Sequence, residues 1–277
     1  MQALQFFQSL WAMEQRVPGQ PELPPAEHFE RIAAAGYHGV CIDPAVDEIE
    51  ALSALQPLYE RHGLKCMINV FPHSPDEFVP LLAMAQRMNA VQVNMIGRVM
   101  PLSVEAGAVL VRRWMREADA AGMPLLFETH RDCTLNDLYY TLQLIDAVPE
   151  MRLCADLSHY VIDREMRLPL DSRDSEFMHR ILERSDSFQG RVANREQVQV
   201  QIGFPQHQAW ARQFRDWWAE GIRLWRARAP ANATLNFLCE LGPPPYAMTD
   251  SRQRELSDRW EEALTIRSWI EDIWAAF

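Results

Sequence analysis

Three carboxylates in this sequence each stand at the end of a short apolar run. Glu128 closes the run Pro-Leu-Leu-Phe-Glu, Asp156 closes Leu-Cys-Ala-Asp, and Glu240 closes Leu-Asn-Phe-Leu-Cys-Glu. Parallel α/β proteins collect their reactive groups at the carboxyl ends of their strands. Each acid could instead cap the helix that follows it. Three such acids together favour one shared site at one end of a sheet.

Eight apolar runs alternate with stretches of helical periodicity along the chain. The predicted strands span residues 4–8, 39–43, 65–70, 91–95, 125–128, 152–156, 188–193 and 235–240. Most are continuously apolar, as is typical of parallel strands that helices cover. No linker of biased composition divides the 277 residues. The pattern predicts an α/β protein with a single domain, a (β/α)8 TIM barrel over residues 1–277.

On this strand count the three acids end strands five, six and eight of one barrel. Buried carboxylates repel one another and do not stay ionised together unless a cation balances them. Strand seven is expected to supply a fourth ligand, and Gln189 is its polar side chain closest to the expected position. The sequence thus predicts one divalent metal ion. Oxygen ligands favour Mn²⁺ or Mg²⁺, with Zn²⁺ or Co²⁺ as alternatives.

Four segments at these strand ends carry a family resemblance. Glu128-Thr-His, Asp156-Leu-Ser-His, Gln189-Gly-Arg and Glu240-Leu-Gly-Pro resemble the xylose isomerase-like TIM barrel superfamily, in particular its sugar phosphate isomerase/epimerase branch, which includes ketose 3-epimerases. The resemblance implies metal ligands at Glu128, Asp156, Gln189 and Glu240, where Gln189 replaces the usual histidine. It also implies an isomerase or epimerase that removes the proton next to a carbonyl through a metal-bound enediolate, with Glu128 and Glu240 as the catalytic acid/base pair.

The same resemblance suggests residues that bind a small polyol or keto-sugar. His159 and His130 follow Asp156 and Glu128, and Arg195 matches a family arginine near the substrate. Arg191 lies nearer the strand, where it either contacts substrate or bridges carboxylates inside the barrel. Three further residues follow strands one, three and four and are candidates for the pocket wall, although such residues more often serve packing: Trp11, Phe71 and Asn94.

Composition argues against several other classes of function. The formal net charge of -11 disfavours nucleic acid as a partner. Lys65, the one lysine, begins a strand and so lies at the wrong end for imine chemistry. The five cysteines form no CxxC pair, and no apolar run approaches the roughly 18 residues of a membrane span. We therefore expect a cytoplasmic protein without a membrane partner. Assembly as a homo-oligomer stays open, because the sequence does not decide the oligomeric state.

Two alternatives to the isomerase stay open. The departure from histidine at Gln189 is consistent with a non-catalytic or drifted sugar-binding barrel that has lost its metal. An endonuclease IV-like metal hydrolase shares the superfamily fold, but that chemistry uses many histidines and a basic face. No cluster of basic residues follows the strands in the sequence, so we expect an unphosphorylated substrate.

Overall fold

The computed structural model describes residues 1–277 and contains a closed barrel of eight parallel strands in chain order, in which β8 pairs with β1. This confirms the predicted (β/α)8 fold. The strands are β1 (Ala3–Ser9), β2 (Gly39–Ile42), β3 (Lys65–Val70), β4 (Val93–Met95), β5 (Leu125–Glu128), β6 (Leu153–Ala155), β7 (Ser185–Gly190) and β8 (Thr234–Cys239).

Ten α-helices surround the barrel. They are α1 (Pro25–Ala34), α2 (Ile49–Ser53), α3 (Gln56–His62), α4 (Phe78–Arg87), α5 (Val104–Ala120), α6 (Leu138–Ala147), α7 (Leu157–Asp163), α8 (Ser172–Arg184), α9 (Gln208–Arg228) and α10 (Arg259–Ala275). Their apolar faces pack on the strands, and one contiguous core includes the fully buried Trp114 of α5 and Trp218 of α9. None of the helices combines the length and the hydropathy that a membrane span requires.

The seventh strand differs from its prediction. It spans Ser185–Gly190 instead of residues 188–193. The prediction missed its first half because two buried serines interrupt the apolar pattern there. The Ser185 hydroxyl donates to the carbonyl of Ile181 and the Ser187 hydroxyl donates to that of Asn236, each at 2.8 Å. A buried hydroxyl that finds such a partner carries little penalty, so polar residues are tolerated where the hydrophobic pattern indicates no strand.

The barrel interior contains a chain of four amides below the carboxyl ends of the strands. Branched apolar side chains usually fill this space in TIM barrels. Here Asn236 donates to Gln92 at 3.0 Å, and Gln92 donates to Asn94 at 2.7 Å. Asn94 in turn donates to Asn69 at 2.9 Å. All four side chains are buried, so this chain forms a hydrogen-bonded floor beneath the mouth of the barrel.

Candidate functional site

Three carboxylates converge at the carboxyl-end mouth of the barrel. Glu128 is the last residue of β5, Asp156 follows β6 directly, and Glu240 follows β8 directly. Oxygen atoms of the three groups lie within 4.8 Å of one another, and all three residues are buried. The acids that the sequence singled out therefore occupy one site.

Asp156 both caps a helix and contributes to this site. Its Oδ1 accepts hydrogen bonds from the backbone N–H of Ser158 at 3.0 Å and from the Ser158 hydroxyl at 2.5 Å, which caps α7. Its Oδ2 is buried and accepts no hydrogen bond. The cap thus orients the carboxylate so that one oxygen is left for another partner.

Gln189 lies against Glu128. Its Nε2 donates to Glu128 Oε2 at 2.5 Å, while its Oε1 is buried without a hydrogen-bond partner. Buried polar atoms are almost always satisfied, so an unpartnered one calls for a partner such as water, a ligand or an ion. The unpartnered oxygens of Gln189 and Asp156, beside two further carboxylates, match the all-oxygen donor set that hard divalent cations prefer. The residues present therefore fit a divalent metal ion.

Arg191 lies between two of the three acids. Its Nη2 donates to Glu240 Oε2 at 2.8 Å, and its Nε lies 3.4 Å from Asp156 Oδ2. The guanidinium is only 3% exposed, and its carbon lies 4.8 Å above the ring of Tyr246. One buried cation can neutralise only part of the negative charge of three carboxylates, so the charge balance of the site still favours a further cation.

Burial raises the pKa values of several acids at the mouth. It raises the pKa of Glu128 well above the usual range, and the Glu240 and Asp156 carboxylates raise that pKa further. Burial also raises the pKa of Glu240 to about 8, against the opposing effect of Arg191. Burial raises the pKa of Asp43 to about 6, although a hydrogen bond from Asn69 lowers it. Without a bound cation, the site holds protons at neutral pH.

Two histidines stand beside the acids with their rings 3.9 Å apart. Burial lowers the pKa of His130 to about 3 and lowers that of His159 well below its ordinary value, so both rings are neutral. Arg131 donates to Nδ1 of His159 at 3.0 Å, which leaves the ring proton on Nε2, 3.5 Å from Asp156. Both histidines also lie with Glu128 in a second group of potential metal ligands within 4.8 Å, a role that the sequence did not suggest.

A cavity of about 200 Å³ opens above these groups. Its lining consists of Trp11, Asp43, Phe71, Ile96, Arg98, Glu128, His130, Arg191, Glu240 and Tyr246. Larger clefts of about 550 and 670 Å³ contain none of the three carboxylates. The small volume beside the acids suits a small molecule.

The structure does not bring every predicted residue to the cavity. Asn94 is fully buried in the amide floor below it, and His159 is fully buried behind Asp156. Arg195 lies outside, where it forms ion pairs with Glu165 at 2.9 Å and Glu196 at 3.0 Å. Neither Asn94, His159 nor Arg195 lines the cavity.

Several residues that line the cavity were not predicted from the sequence. Asp43 closes an apolar run in the same way as the other three acids, so the signal for it was present. Tyr246 follows three consecutive prolines and Arg98 follows β4 by three residues; neither position carries a sequence signal. Arg98 is ion-paired with Asp132, so it does not offer a free positive charge at the rim.

Comparison with known proteins finds similarity in structure but not in sequence. No protein-family model matches the sequence, and no curated protein matches it in sequence. Among solved structures, the chain is similar to a xylose isomerase-like TIM barrel protein from Mycobacterium smegmatis in complex with magnesium, with a TM-score of 0.58, 14% identity and coverage of 96% of this chain and 97% of that one.

Two sugar epimerases have similar structures as well. A D-allulose 3-epimerase from Methylomonas sp. in complex with D-allulose has a TM-score of 0.61 at 12% identity and covers 98% of this chain and 97% of its own. A D-psicose 3-epimerase in the presence of D-fructose has a TM-score of 0.56 at 13% identity, with 97% of each chain covered. The chain thus has the fold of the xylose isomerase-like TIM barrels over nearly its whole length.

Proposed function

We propose that this protein is a divalent-metal-dependent isomerase or epimerase of a small keto-sugar or related polyol. One observation carries the proposal: carboxylate oxygens from Glu128, Asp156 and Glu240 lie within 4.8 Å of one another, beside the unpartnered amide oxygen of Gln189. Such an arrangement is costly without a cation, because buried carboxylates then either repel one another or have to hold protons. It becomes favourable when a cation is bound.

The four side chains Glu128, Asp156, Gln189 and Glu240 would hold the metal ion. A bound divalent cation polarises a carbonyl group and thereby acidifies the hydrogen on the neighbouring carbon. Mn²⁺ or Mg²⁺ suits these oxygen donors best, and the similar Mycobacterium smegmatis structure contains magnesium. The similar epimerases with D-allulose and D-fructose support a ketose as the substrate.

Glu128 and Glu240 are the proposed acid/base pair. Both line the cavity, whereas Asp156 does not, so Asp156 is assigned to metal binding alone. One glutamate, as the carboxylate, removes the proton next to the carbonyl; the other, as the neutral acid, delivers a proton. Because β5 and β8 lie three strands apart around the barrel, the two groups reach the substrate from different directions. Trp11, Phe71 and Tyr246 line the same cavity and supply aromatic surface beside the two glutamates.

Two measurements test the proposal. The first determines the metal content of the purified protein. The second follows exchange of substrate hydrogen with D₂O by NMR over a panel of ketoses, with added Mn²⁺ or Mg²⁺. We expect a bound divalent metal and exchange at the carbon beside the carbonyl of at least one ketose. A protein that binds no metal and exchanges no hydrogen would refute the proposal.

Gln189 provides a sharper test of the ligand set. Gln189→His introduces a stronger ligand and is expected to tighten Mn²⁺ binding. Gln189→Ala removes an oxygen donor and is expected to weaken Mn²⁺ binding by at least about tenfold, or about 1.4 kcal/mol. Titration calorimetry with Mn²⁺ measures both changes. Unchanged affinity in both variants would remove Gln189 from the metal site.

A second candidate function rests on Arg191. Its guanidinium already contacts Asp156 and Glu240, so it partly replaces a metal ion as the balancing charge. This contact favours a sugar-binding barrel without metal or catalysis. Such a protein would bind ketoses equally well with EDTA present and would exchange no hydrogen, which separates the two candidates.

A further inference from the structure

Asp43 presents an unused hydrogen-bond acceptor in the cavity. It follows β2, and its Oδ1 accepts from Nδ2 of Asn69 at 2.7 Å. Its Oδ2 is buried and has no hydrogen-bond partner. Asp43 lines the same cavity as Glu128 and Glu240, yet it belongs to neither group of potential metal ligands. The unpartnered oxygen therefore calls for a hydrogen-bond partner other than a metal ion.

Asn69 holds this carboxylate in a defined position relative to the acid/base pair. The same Nδ2 that donates to Asp43 also lies 3.3 Å from Oε1 of Glu240. Asn69 is fully buried, and its own oxygen accepts from Asn94 at the end of the amide floor. Because buried side chains in such a network have little freedom, Asp43 and Glu240 are fixed with respect to each other.

Arg191 supplies the complementary group in the same cavity. Two of its nitrogens contact Glu240 and Asp156, but Nη1 is buried without a hydrogen-bond partner. Asp43 and Arg191 thus both line the cavity, and each carries a buried polar atom without a hydrogen-bond partner, an acceptor on Asp43 and a donor on Arg191. A ligand that satisfies both has a hydroxyl hydrogen for Asp43 and an oxygen acceptor for Arg191. An acidic group at the Asp43 end would be repelled, so the group there is a neutral hydroxyl.

We propose that Asp43 is a specificity-determining residue that accepts a hydrogen bond from one hydroxyl group of a polyhydroxylated substrate. The inference rests on the proposed function, since it assigns the substrate of that same site. A site built to bond a hydroxyl group discriminates strongly against the analogue that lacks it, because the buried partner is then left unpaired. Asp43 is therefore expected to make the protein reject the corresponding deoxy sugar.

The test measures binding without turnover. Titration calorimetry at saturating Mn²⁺ compares D-fructose, D-allulose and their monodeoxy analogues on the wild-type protein, Asp43→Ala and the nearly isosteric Asp43→Asn. Asp47→Asn is the matched control, because it makes the same change on an exposed acid four residues further along. We expect both Asp43 variants to bind the ketoses at least tenfold more weakly and the control to bind them as the wild type does.

The deoxy series identifies the hydroxyl group. On the wild-type protein, one monodeoxy analogue is expected to bind at least tenfold more weakly than its parent sugar. On Asp43→Ala, the same analogue and its parent sugar are expected to bind with equal affinity. The inference is overturned if both Asp43 variants bind the ketoses with wild-type affinity. It is also overturned if each deoxy analogue loses the same affinity, relative to its parent sugar, on the wild type and on the variants. A wild type that binds none of these sugars, nor xylitol or D-mannitol, also overturns it. A wild type that binds ketoses without exchanging hydrogen overturns the proposed function alone.

Discussion

Replacement of Arg191 by methionine tests the electrostatic account of the mouth. Met has a similar length and keeps much of the packing, but it removes the charge that lies 2.8 Å from Glu240 and 3.4 Å from Asp156. Removal of one partner from a buried ion pair typically costs about 3–5 kcal/mol, because the other charge stays buried and unpaired. For a chain of this size each kcal/mol lowers Tm by about 2–4 °C. We therefore expect a decrease in Tm of roughly 6–20 °C in the metal-free protein above pH 8, where Glu240 is ionised.

Differential scanning calorimetry in EDTA measures this decrease. Arg195→Met is the matched control, since Arg195 also forms two ion pairs with glutamates but is 31% exposed. Exposed pairs contribute about 0–1 kcal/mol, so the control is expected to shift Tm by no more than about 4 °C. Equal shifts in the two variants would show that Arg191 does not balance the buried acids, and the reasoning would be refuted.

The deficit of Arg191→Met is also expected to depend on pH. Without the guanidinium, the folded-state pKa of Glu240 rises further above the value of about 4.3 that a glutamate has in the unfolded chain. A group with a raised folded pKa contributes stability that is fully present below the unfolded pKa and is lost as the pH rises through the folded one. The difference in Tm between variant and wild type should therefore be larger at pH 8 than at pH 5; a larger difference at pH 5 would contradict this sign.

Three further outcomes follow from the same structure. Because the pKa of Glu240 is about 8 without metal, Mn²⁺ binding at pH 7 should release protons, visible as a calorimetric heat that varies with the ionisation enthalpy of the buffer; buffer-independent heats would argue against this. In Gly242→Ala the new methyl group would lie 2.2 Å from the Trp11 ring, so ketose affinity should fall as the ring moves, whereas unchanged affinity and Tm would show that Trp11 yields freely. Burial raises the pKa of Glu262 to about 7, so the protonated side chain stabilises the folded protein fully below pH 4.5, and this contribution is lost as the pH rises through 7. Glu262→Gln, which can still accept a hydrogen bond from the Ile202 N–H, should therefore melt at a higher temperature than the wild type at pH 8 but not at pH 5.

The barrel was predictable because its signals are local and repeated. Eight apolar runs separated by helical periodicity leave few arrangements for a single chain, and parallel strands covered by helices are the arrangement that buries them all. The positions of β3 and β5 agree with their predictions. The shift of β7 was not predictable, because it depends on carbonyl groups of Ile181 and Asn236 that satisfy its serines from other parts of the chain.

Part of the candidate site was predictable for a related reason. An acid that ends a strand of a parallel barrel must lie at the mouth, so strand order alone brings Glu128, Asp156 and Glu240 to one edge. Arg195 shows the limit of this reasoning. It follows the strand-seven segment in sequence, but its side chain points to Glu165 and Glu196 and not to the cavity. Beyond a strand end, the course of the loop decides direction, and the sequence pattern does not encode that course.

The amino-acid sequence by itself determined the fold class, the strand order and the three converging acids, since periodicity and strand ends are properties of short segments. Only the tertiary structure decided how those acids are balanced. Arg191 between Glu240 and Asp156, and Asn69 between Asp43 and Glu240, are contacts among residues from different strands. Their existence depends on distances and side-chain orientations across the barrel, and these are set by the packing of the whole chain.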